Sequence, residues 1–414
     1  MNSLKINRNK LLNDIISNYF SKKEEKEFKS IFSSELSSFK SFSEQVSAKN
    51  KKQVSLNINN EADLQFKIEL LITFAQQRLK AEKYAEFLGR LGNFTVTLGE
   101  TDLAVMIYQS ILAYAIYIEG ISDFVVADSY YKLGELYRKK SKWDVSFSYI
   151  EKAKKIYQQF NDTAGLSKCA NILGSVYGEM GEFTKAKRNF ERALRLLGSL
   201  NNPEETGKTE INLGIVNDIL GDQEDSKDYY RKALFKFTKS EDNKRIAEIY
   251  HNLGMLNLSD DKLKQAVYDF DNSIHYCMKI NYMPVLGLSY LGKALALVKN
   301  NDLKLAEQFA DKAAVLFNKT KDRLSTAEVY RVKGVIYRKK KMYPKAEHYL
   351  NTSLRINVEI GNKLNKAETN VELGILLKDR KKTNESNENL EQALKYYESI
   401  KARERIRQIE SLDA

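Results

Sequence analysis

Proline, histidine, tryptophan and cysteine are scarce in this chain of 414 residues, which contains 3, 3, 1 and 2 of them respectively. So few prolines, together with 43% hydrophobic residues and only short apolar runs, argue against a disordered, collagen-like or polytopic membrane chain. Cys169 and Cys277 lie far apart in the sequence, which excludes a disulfide framework and favours a reducing, cytoplasmic location. We expect no secretory signal peptide, because no N-terminal segment has the basic, apolar and small-residue order of one.

Residues that carry chemistry are equally few. The three histidines and two cysteines show none of the spacings typical of metal sites. Residues 287–293 match most of a phosphate-binding loop, but Ala294 follows where Ser or Thr would hold magnesium, and the stretch falls inside a predicted helix. The sequence therefore predicts no catalytic residue, no metal and no cofactor, and favours a binding protein over an enzyme.

A period of 40 residues runs through most of the chain. Its marker is a glycine, with Ala294 at the one position where glycine is missing. The glycines are Gly134, Gly174, Gly214, Gly254, Gly334 and Gly374. The residues 12 and 19 positions after each marker are never larger than serine. An earlier unit fits with a two-residue insertion, at Gly92, Ala104 and the larger Ile111, which makes eight units.

Large residues surround these small ones. Sixteen residues after the marker stand Tyr108, Ile150, Phe190, Tyr230, Phe270, Leu350 and Leu390. Ala310 is the exception at this position, and Lys293 and Lys333 replace the leucine that usually precedes the marker. The apolar spacing within each unit is helical, and small residues at fixed offsets let two helices cross closely. Each unit is therefore predicted to be a helix A, a turn and a helix B.

Helix starts are predicted twelve residues before the marker, where capping residues recur. They are Ser122, Asp162, Asn202, Asp242, Asp322 and Asn362, with Tyr282 as the exception. All three prolines, Pro203, Pro284 and Pro344, fall at predicted first turns of helices, where proline is tolerated.

These residues resemble the tetratricopeptide repeat (TPR) family. The family's pattern is seen in Leu173, Gly174, Tyr177, Ala186, Phe190 and Ala193. The 40-residue period departs from the shorter common unit, and it resembles the long repeats of Rap-type peptide-sensing regulators and spindle-orientation adaptors. The resemblance implies an all-α, right-handed solenoid of about eight helix pairs whose A helices line a concave groove.

The predicted domains are a basic helical segment and linker at 1–60, a lead-in helix at 61–80, the repeat array at 81–399 and the end of a capping helix at 400–414. Residues 1–60 carry 11 Lys/Arg against 6 Asp/Glu, and their apolar spacing predicts two amphipathic helices before a linker over 47–61. They are interpreted either as a cap on the first repeat or as an effector module. The last B helix is predicted to continue into Arg403, Arg405 and Arg407.

Two surfaces are candidate binding sites. The first is the groove side of helix A, as the resemblance places it. The predicted groove residues are Lys168, Asn171, Lys208, Asn212, Glu248, Asn252, Leu288, Leu291 and Leu295. Ile215, Met255 and Val335 lie on the same side of helix A. A basic edge is predicted at the ends of A helices, from Arg138, Lys139, Lys140, Arg338, Lys339 and Lys340. The basic residues of this edge are interpreted either as complementing helix dipoles and keeping the protein soluble, or as attaching it to an acidic partner.

The predicted partner is a protein or a peptide segment, whose amides the asparagines would hold. Nucleic acid ranks low because most aromatic residues follow the core offsets, and no membrane partner is predicted; the oligomeric state stays open. Two hypotheses remain: a non-enzymatic scaffold or receptor, and a Rap-like regulator in which groove occupancy controls the contacts of the N-terminal helices with a target.

Overall fold

A computed structural model describes residues 8–49, 60–400 and 402–413, which form twenty α-helices and contain no strand. The predicted linker at 47–61 lies mostly outside the described residues, as do the side chains of Phe39, Phe42 and Val46. The helices are α1 (Arg8–Tyr19), α2 (Lys22–Lys49), α3 (Asn60–Arg78), α4 (Ala81–Leu98), α5 (Thr101–Tyr117), α6 (Asp123–Lys139), α7 (Trp143–Gln159), α8 (Thr163–Glu179), α9 (Phe183–Leu197), α10 (Pro203–Leu220), α11 (Gln223–Lys239), α12 (Asn243–Ser259), α13 (Leu263–Ile280), α14 (Met283–Lys299), α15 (Leu303–Thr320), α16 (Arg323–Lys339), α17 (Tyr343–Glu359), α18 (Lys363–Asp379), α19 (Thr383–Ser399) and α20 (Arg403–Asp413).

The chain divides into two compact units, Met1–Asn201 and Asn202–Ala414. Unit 1 holds the N-terminal helices and the helix pairs α4–α5, α6–α7 and α8–α9. Unit 2 holds the pairs α10–α11, α12–α13, α14–α15, α16–α17 and α18–α19, followed by α20. The even-numbered member of each pair is its A helix and the odd-numbered member its B helix. The predicted all-α solenoid of eight helix pairs is confirmed.

The A helices begin directly after the residues that were predicted to cap them. Six of the seven caps accept a hydrogen bond from a backbone N–H of the first helical turn, and they are Ser122, Asp162, Asn202, Asp242, Asp322 and Asn362. Tyr282 makes no such bond, and the helix that follows it, α14, has Pro284 in its first turn. Each bond satisfies one of the N–H groups that a helix leaves unpaired at its start.

The marker glycines are required by the close crossing of A and B within a pair. A Cβ added at Gly174 or Gly254 would lie within 3 Å of the ring of Phe190 or Phe270, the large residue 16 positions later. In three repeats a serine 12 positions after the glycine also donates to the glycine carbonyl oxygen, as Ser146 does at 2.7 Å. The exception, Ala294, shares a buried cluster with Ala310, so the small residue 16 positions later accompanies the larger marker.

Successive pairs also interlock through side chains. The ring of Phe270 on α13 reaches forward to Gly292 on α14, where an added Cβ would again lie within 3 Å. Lys293 and Lys333, which replace the usual leucine, bind Asp271 and Asp311 on the preceding B helix. Their ammonium groups lie 4.2 Å and 4.6 Å from the ring centroids of Phe309 and Tyr349. These lysines are therefore held by an ion pair and an aromatic ring.

The turns are closed by residues with left-handed backbone conformation. One such residue lies seven positions after the marker in every repeat from the second to the eighth, and they are Ser141, Gly181, Gly221, Asp261, Asn301, Lys341 and Lys381. Their φ values run from 55° to 88°. The backbone demands this conformation even where the residue is lysine, for which it is unfavourable.

The N-terminal helices pack onto the first repeat. Helix α1 contacts α4, and its buried side chains Leu12 and Ile16 share a core with Phe74 and Phe87, as does Phe20 directly after the helix. The Phe20 ring meets the rings of Phe74 and Phe87 edge-on, with centroids 5.3 Å and 5.8 Å apart. The predicted first amphipathic helix thus covers apolar surface of the array.

The C-terminal helix differs from the prediction. The last B helix does not continue through Arg403: α19 ends at Ser399 and a separate helix, α20, begins at Arg403. Ile409 of α20 is buried against Leu390 and Tyr397 of α19, with Ile406 and Leu412 beside it. A straight continuation would leave these three apolar side chains in water, so the chain turns back instead.

A candidate peptide-binding face on the A helices of unit 2

The A helices of unit 2 form a continuous layer, because α10 contacts α12, α12 contacts α14, α14 contacts α16 and α16 contacts α18. One apolar column follows this layer, at the position directly after the marker. It consists of Ile215, Met255, Leu295, Val335 and Ile375. Ile215 and Met255 are 39% and 41% exposed, and the other three are half-buried. We call this surface of the layer the A-face.

Sequence offsets placed Ile215, Met255 and Val335 on this side of helix A, but only Leu295 was among the predicted site residues. The signal that was missed is the same 40-residue period at a fourth offset, which extends to Ile375. In unit 1 the corresponding positions are Asn93, Glu135 and Ser175, which are all polar, so the column is confined to unit 2. Five accessible apolar side chains in one register form a built hydrophobic surface.

The predicted leucines of the sixth repeat divide between surface and core. Leu288 is 38% exposed and Leu295 half-buried, so both border the A-face. Leu291 is only 6% exposed and packs in a cluster with Ala294, Phe317 and Val332. The structure therefore places Leu291 under the face rather than on it.

Two of the three predicted asparagines, Asn212 and Asn252, are half-buried on α10 and α12. The side chain of Asn252 lies beside the hydroxyl of Tyr230 on the preceding B helix. Burial and the Asp218 carboxylate raise the pKa of that hydroxyl, while the Ser226 and Asn252 side chains oppose the rise. The Asn252 side chain thus uses part of its hydrogen-bonding capacity on Tyr230 of the preceding repeat.

The predicted charged residues are held by neighbours on the same side of the layer. Lys208 pairs with Glu204 at 2.6 Å and with Glu205 at 2.8 Å. Burial alone would lower the pKa of Lys208, but its hydrogen bonds to the two carboxylates outweigh burial and the pKa is raised. Glu248 accepts from Arg245 at 2.7 Å, and from the hydroxyl of Tyr282, the residue directly before the next A helix, at 3.0 Å.

Lys168 and Asn171 belong to α8 and hence to unit 1, where Lys168 is exposed and Asn171 half-buried. The predicted set of groove residues is thus distributed over two units, and the apolar column identifies unit 2 as the part that carries a continuous surface.

Toward its C-terminal end the A-face becomes ionic. Arg331 donates to Glu328 at 2.9 Å through Nε and lies 3.4 Å from Glu368. Arg338 lies 3.4 Å from Glu372 and 3.3 Å from Asp379. Charged pairs therefore lie on the same helices as Val335 and Ile375.

The residues of the predicted basic edge have partners in neighbouring helices or in their own. Arg138 binds Glu179, Lys140 binds Asp102, and Lys340 binds Glu307. Lys339 donates to the carbonyl oxygen of Val298, near the C-terminal end of the preceding A helix, at 3.0 Å. Lys139 lies 3.5 Å from Glu135. The Lys339 contact fits the interpretation as helix-dipole complementation, whereas the Arg138, Lys140 and Lys340 pairs join neighbouring repeats.

His251 lies on α12, four residues before Met255 of the apolar column. Its Nδ1 lies 3.1 Å from the Ser289 hydroxyl, which in turn lies 2.8 Å from Ser273. Burial penalises the imidazolium and lowers the pKa of His251 from 6.5 to about 4. The imidazole is therefore neutral at physiological pH.

Two further findings concern the described residues alone. No helix among them is long and apolar enough to span a bilayer. No group of three or more His, Cys, Asp or Glu side chains within that part of the chain is placed to hold a metal ion.

Helix pairs with a marker glycine, a small residue at the crossing and contacts to both neighbours define a repeat solenoid. The tetratricopeptide repeat model matches residues 125–199 and 166–234 of the chain. With the eight helix pairs, this match confirms the predicted resemblance to the tetratricopeptide repeat superfamily.

Two curated relatives match over part of their length. Protein KINESIN LIGHT CHAIN-RELATED 2 of Arabidopsis thaliana is 28% identical over 158 residues, which are 37% of this chain and 24% of the relative. Anaphase-promoting complex subunit CDC16 of Saccharomyces cerevisiae is 28% identical over 156 residues, which are 37% of this chain and 17% of the relative. The matches therefore span a quarter or less of these relatives.

Solved structures are similar over more of the chain. The apo form of the quorum sensor NprR from B. thuringiensis has a TM-score of 0.63 at 16% identity, covering 81% of this chain and 94% of that one. The apo form of RapI has a TM-score of 0.57 at 13% identity, covering 92% and 98%. A Rap protein complexed with competence and sporulation factor has a TM-score of 0.56 at 13% identity, covering 80% and 96%. At these identities the likeness concerns the fold.

Proposed function

We propose that this chain is a non-enzymatic receptor or scaffold that binds a peptide or protein segment on the A-face of unit 2. The observation that carries the proposal is the column of five apolar side chains in one register, two of them about 40% exposed. Monomeric proteins rarely leave a large contiguous apolar patch without a partner. The likeness to a quorum sensor and to a Rap protein complexed with competence and sporulation factor supports the proposal.

The spacing of the column favours an extended ligand. Packed helices lie about 8–10 Å apart, so neighbouring side chains of the column are separated by about that distance. An extended polyproline-like segment advances about 3.1 Å per residue and returns to the same side every three residues, or roughly 9 Å. The ligand should therefore carry apolar side chains at every third position, followed by polar or charged ones where Arg331 and Glu368 line the face.

The test is a selection of random 15-residue peptides on the full-length chain, followed by calorimetric titration of the selected peptides. Ile215→Glu with Met255→Glu should weaken binding at least about tenfold, because each change places a carboxylate in the apolar contact. Both sites are well exposed, so the melting temperature should change little. A matched double variant, Phe235→Glu with Val315→Glu, alters two B-helix side chains that are 61% and 67% exposed, and it should bind normally.

Equal affinity in the A-face variant and the wild-type protein would contradict the proposal, as would loss of binding in the B-helix control. Selected peptides with an apolar spacing of three, four and seven residues would retain the site but replace the extended ligand with a helical one.

The Rap-like alternative, in which ligand occupancy controls the contacts of the N-terminal helices, is tested by point substitution and not by truncation. Removing residues 1–60 would uncover Phe74 and Phe87, which α1 protects, so a loss of function in that truncation would report unfolding as readily as regulation. Substituting exposed residues of α1 and α2, such as Lys23→Glu, leaves this packing intact. Unchanged ligand binding with altered target regulation would then support the alternative.

A further inference from the structure

A cavity lies far from the A-face in sequence, among the N-terminal helices of unit 1. A cavity of about 320 Å³ opens between α1, α2 and α3, within the size range of small-molecule sites. Its lining residues are Asn13, Ile16, Glu25, Phe28, Lys29, Phe32, Ser33 and Lys67. The proposed peptide-binding function uses none of them.

The wall of this pocket is apolar and rigid on one side. Phe28 is buried, and its ring stacks on Phe32 with centroids 6.3 Å apart and meets Phe74 edge-on at 5.3 Å. Ile16 closes the wall from α1. Because these side chains belong to the core that joins α1 to the first repeat, the wall is formed before any ligand arrives.

Two lysines face the same space from different helices. Lys67 of α3 is half-buried, with its ammonium 5.5 Å from the ring centroid of Phe32, and Lys29 of α2 stands exposed at the mouth. Burial first, and the positive charge of Lys29 second, lower the pKa of Lys67. Neither lysine forms an ion pair with a carboxylate of the described residues. Two like charges at a half-buried site call for a negative counter-charge.

Glu25 supplies the one carboxylate of the lining, so the pocket retains a single excess positive charge. Asn13 and Ser33 add neutral hydrogen-bonding groups. We propose that this pocket binds a small organic monocarboxylate with an apolar body, its carboxylate between Lys29 and Lys67 and its hydrocarbon part against Ile16, Phe28 and Phe32. A dianion would be disfavoured by Glu25.

The experiment is calorimetric titration of the full-length protein with octanoate, with 1-octanol as the uncharged analogue and with octyl phosphate as the analogue of higher charge. Octanoate should bind at least fivefold more tightly than either analogue. Lys67→Met keeps the aliphatic stem and removes the charge, and it should weaken octanoate binding at least fivefold. Lys26→Met, on the same helix α2 but outside the lining, is the matched control and should bind as the wild-type protein does.

Lys29→Met provides a second variant at an exposed position, where folding is not at risk, and it should also weaken octanoate binding. The proposal is overturned by absence of octanoate binding, by equal binding of octanol, by tighter binding of octyl phosphate, or by unchanged affinity in both lining variants. Octanoate binding that both lining variants weaken and the Lys26 control retains would support it.

Discussion

At the scale of single residues, the repeat is governed by a volume match across the helix crossing. Where the residue 16 positions after the marker is large, as Leu350 is, the marker is Gly334; where that residue is Ala310, the marker is Ala294. Both exceptions are visible in the sequence, and the structure places Ala294 and Ala310 in one buried cluster, where one can compensate for the other.

This match predicts a specific double-mutant cycle. Ala310→Leu alone should destabilise the protein by about 1–3 kcal/mol through overpacking against Ala294. Ala294→Gly alone should cost about 1 kcal/mol in helix propensity. Combined, they recreate the pair Gly334–Leu350 and should cost less than the sum, with a coupling of at least about 0.5 kcal/mol. Urea unfolding of the four proteins measures it, and strict additivity would show that the two positions do not share one space.

A second residue-scale prediction concerns pH. The pKa of His251 is lowered from 6.5 to about 4, so folding favours the neutral imidazole. Its contribution to stability is therefore fully present above pH 6.5 and is lost as the pH falls toward 4, with a slope of at most about 1.4 kcal/mol per pH unit.

The measurement is the melting temperature of wild-type and His251→Asn proteins between pH 7 and pH 4. The variant should lose less stability over this range. The buried carboxyls of Glu210 and Asp269 have raised pKa values and act in the opposite sense, but both proteins contain them, so the difference isolates the histidine. Parallel curves would mean that His251 titrates as an exposed imidazole.

At the scale of helices and turns, local signals were enough to locate most boundaries. Capping residues and first-turn prolines identified the A helices, because these groups act within one turn of the chain. The break before α20 was missed, since no glycine or proline marks it and the cause is the packing of Ile409 on Tyr397. Likewise, the contact of Asn252 with Tyr230 joins two successive repeats, so the residue pattern within a single repeat does not predict it.

The left-handed turn position provides a prediction at this scale. Lys341 has φ of 58° and is exposed, so Lys341→Gly should stabilise the protein by up to about 1 kcal/mol by relieving the strained conformation. The reciprocal change at the same repeat position, Gly181→Lys, should destabilise by a similar amount because Gly181 has φ of 80°. Thermal unfolding compares them, and a loss of stability in Lys341→Gly would be the contrary result.

At the scale of the whole molecule, each repeat of a solenoid is stabilised mainly by its neighbours, so a contiguous block can be independent. Residues 202–414 form a unit with its own cores and begin with a capped helix, Asn202 followed by Pro203. The A-face column lies entirely inside this block, whereas the candidate carboxylate pocket lies in residues 1–201.

We predict that a fragment of residues 202–414 folds alone, with a helical circular dichroism spectrum and a cooperative melting transition. A fragment of residues 223–414, which lacks α10, is the control: it leaves the buried Tyr230 and Phe237 of α11 without their partner helix and should melt at a lower temperature. An unfolded 202–414 fragment would show that this block depends on the residues before it.

The forward reach of Phe270 into Gly292 determines whether one repeat can be exchanged for another. Excising residues 283–322 would keep the 40-residue phase and bring Lys333 to the place of Lys293, opposite Asp271, so the ion pair would reform. The same excision would put Val332 where Gly292 now makes room for the Phe270 ring. The repeats are therefore interchangeable in backbone and in charge, but not in shape, and natural or engineered shortening of the array at this point would require a compensating change at position 270 or 332.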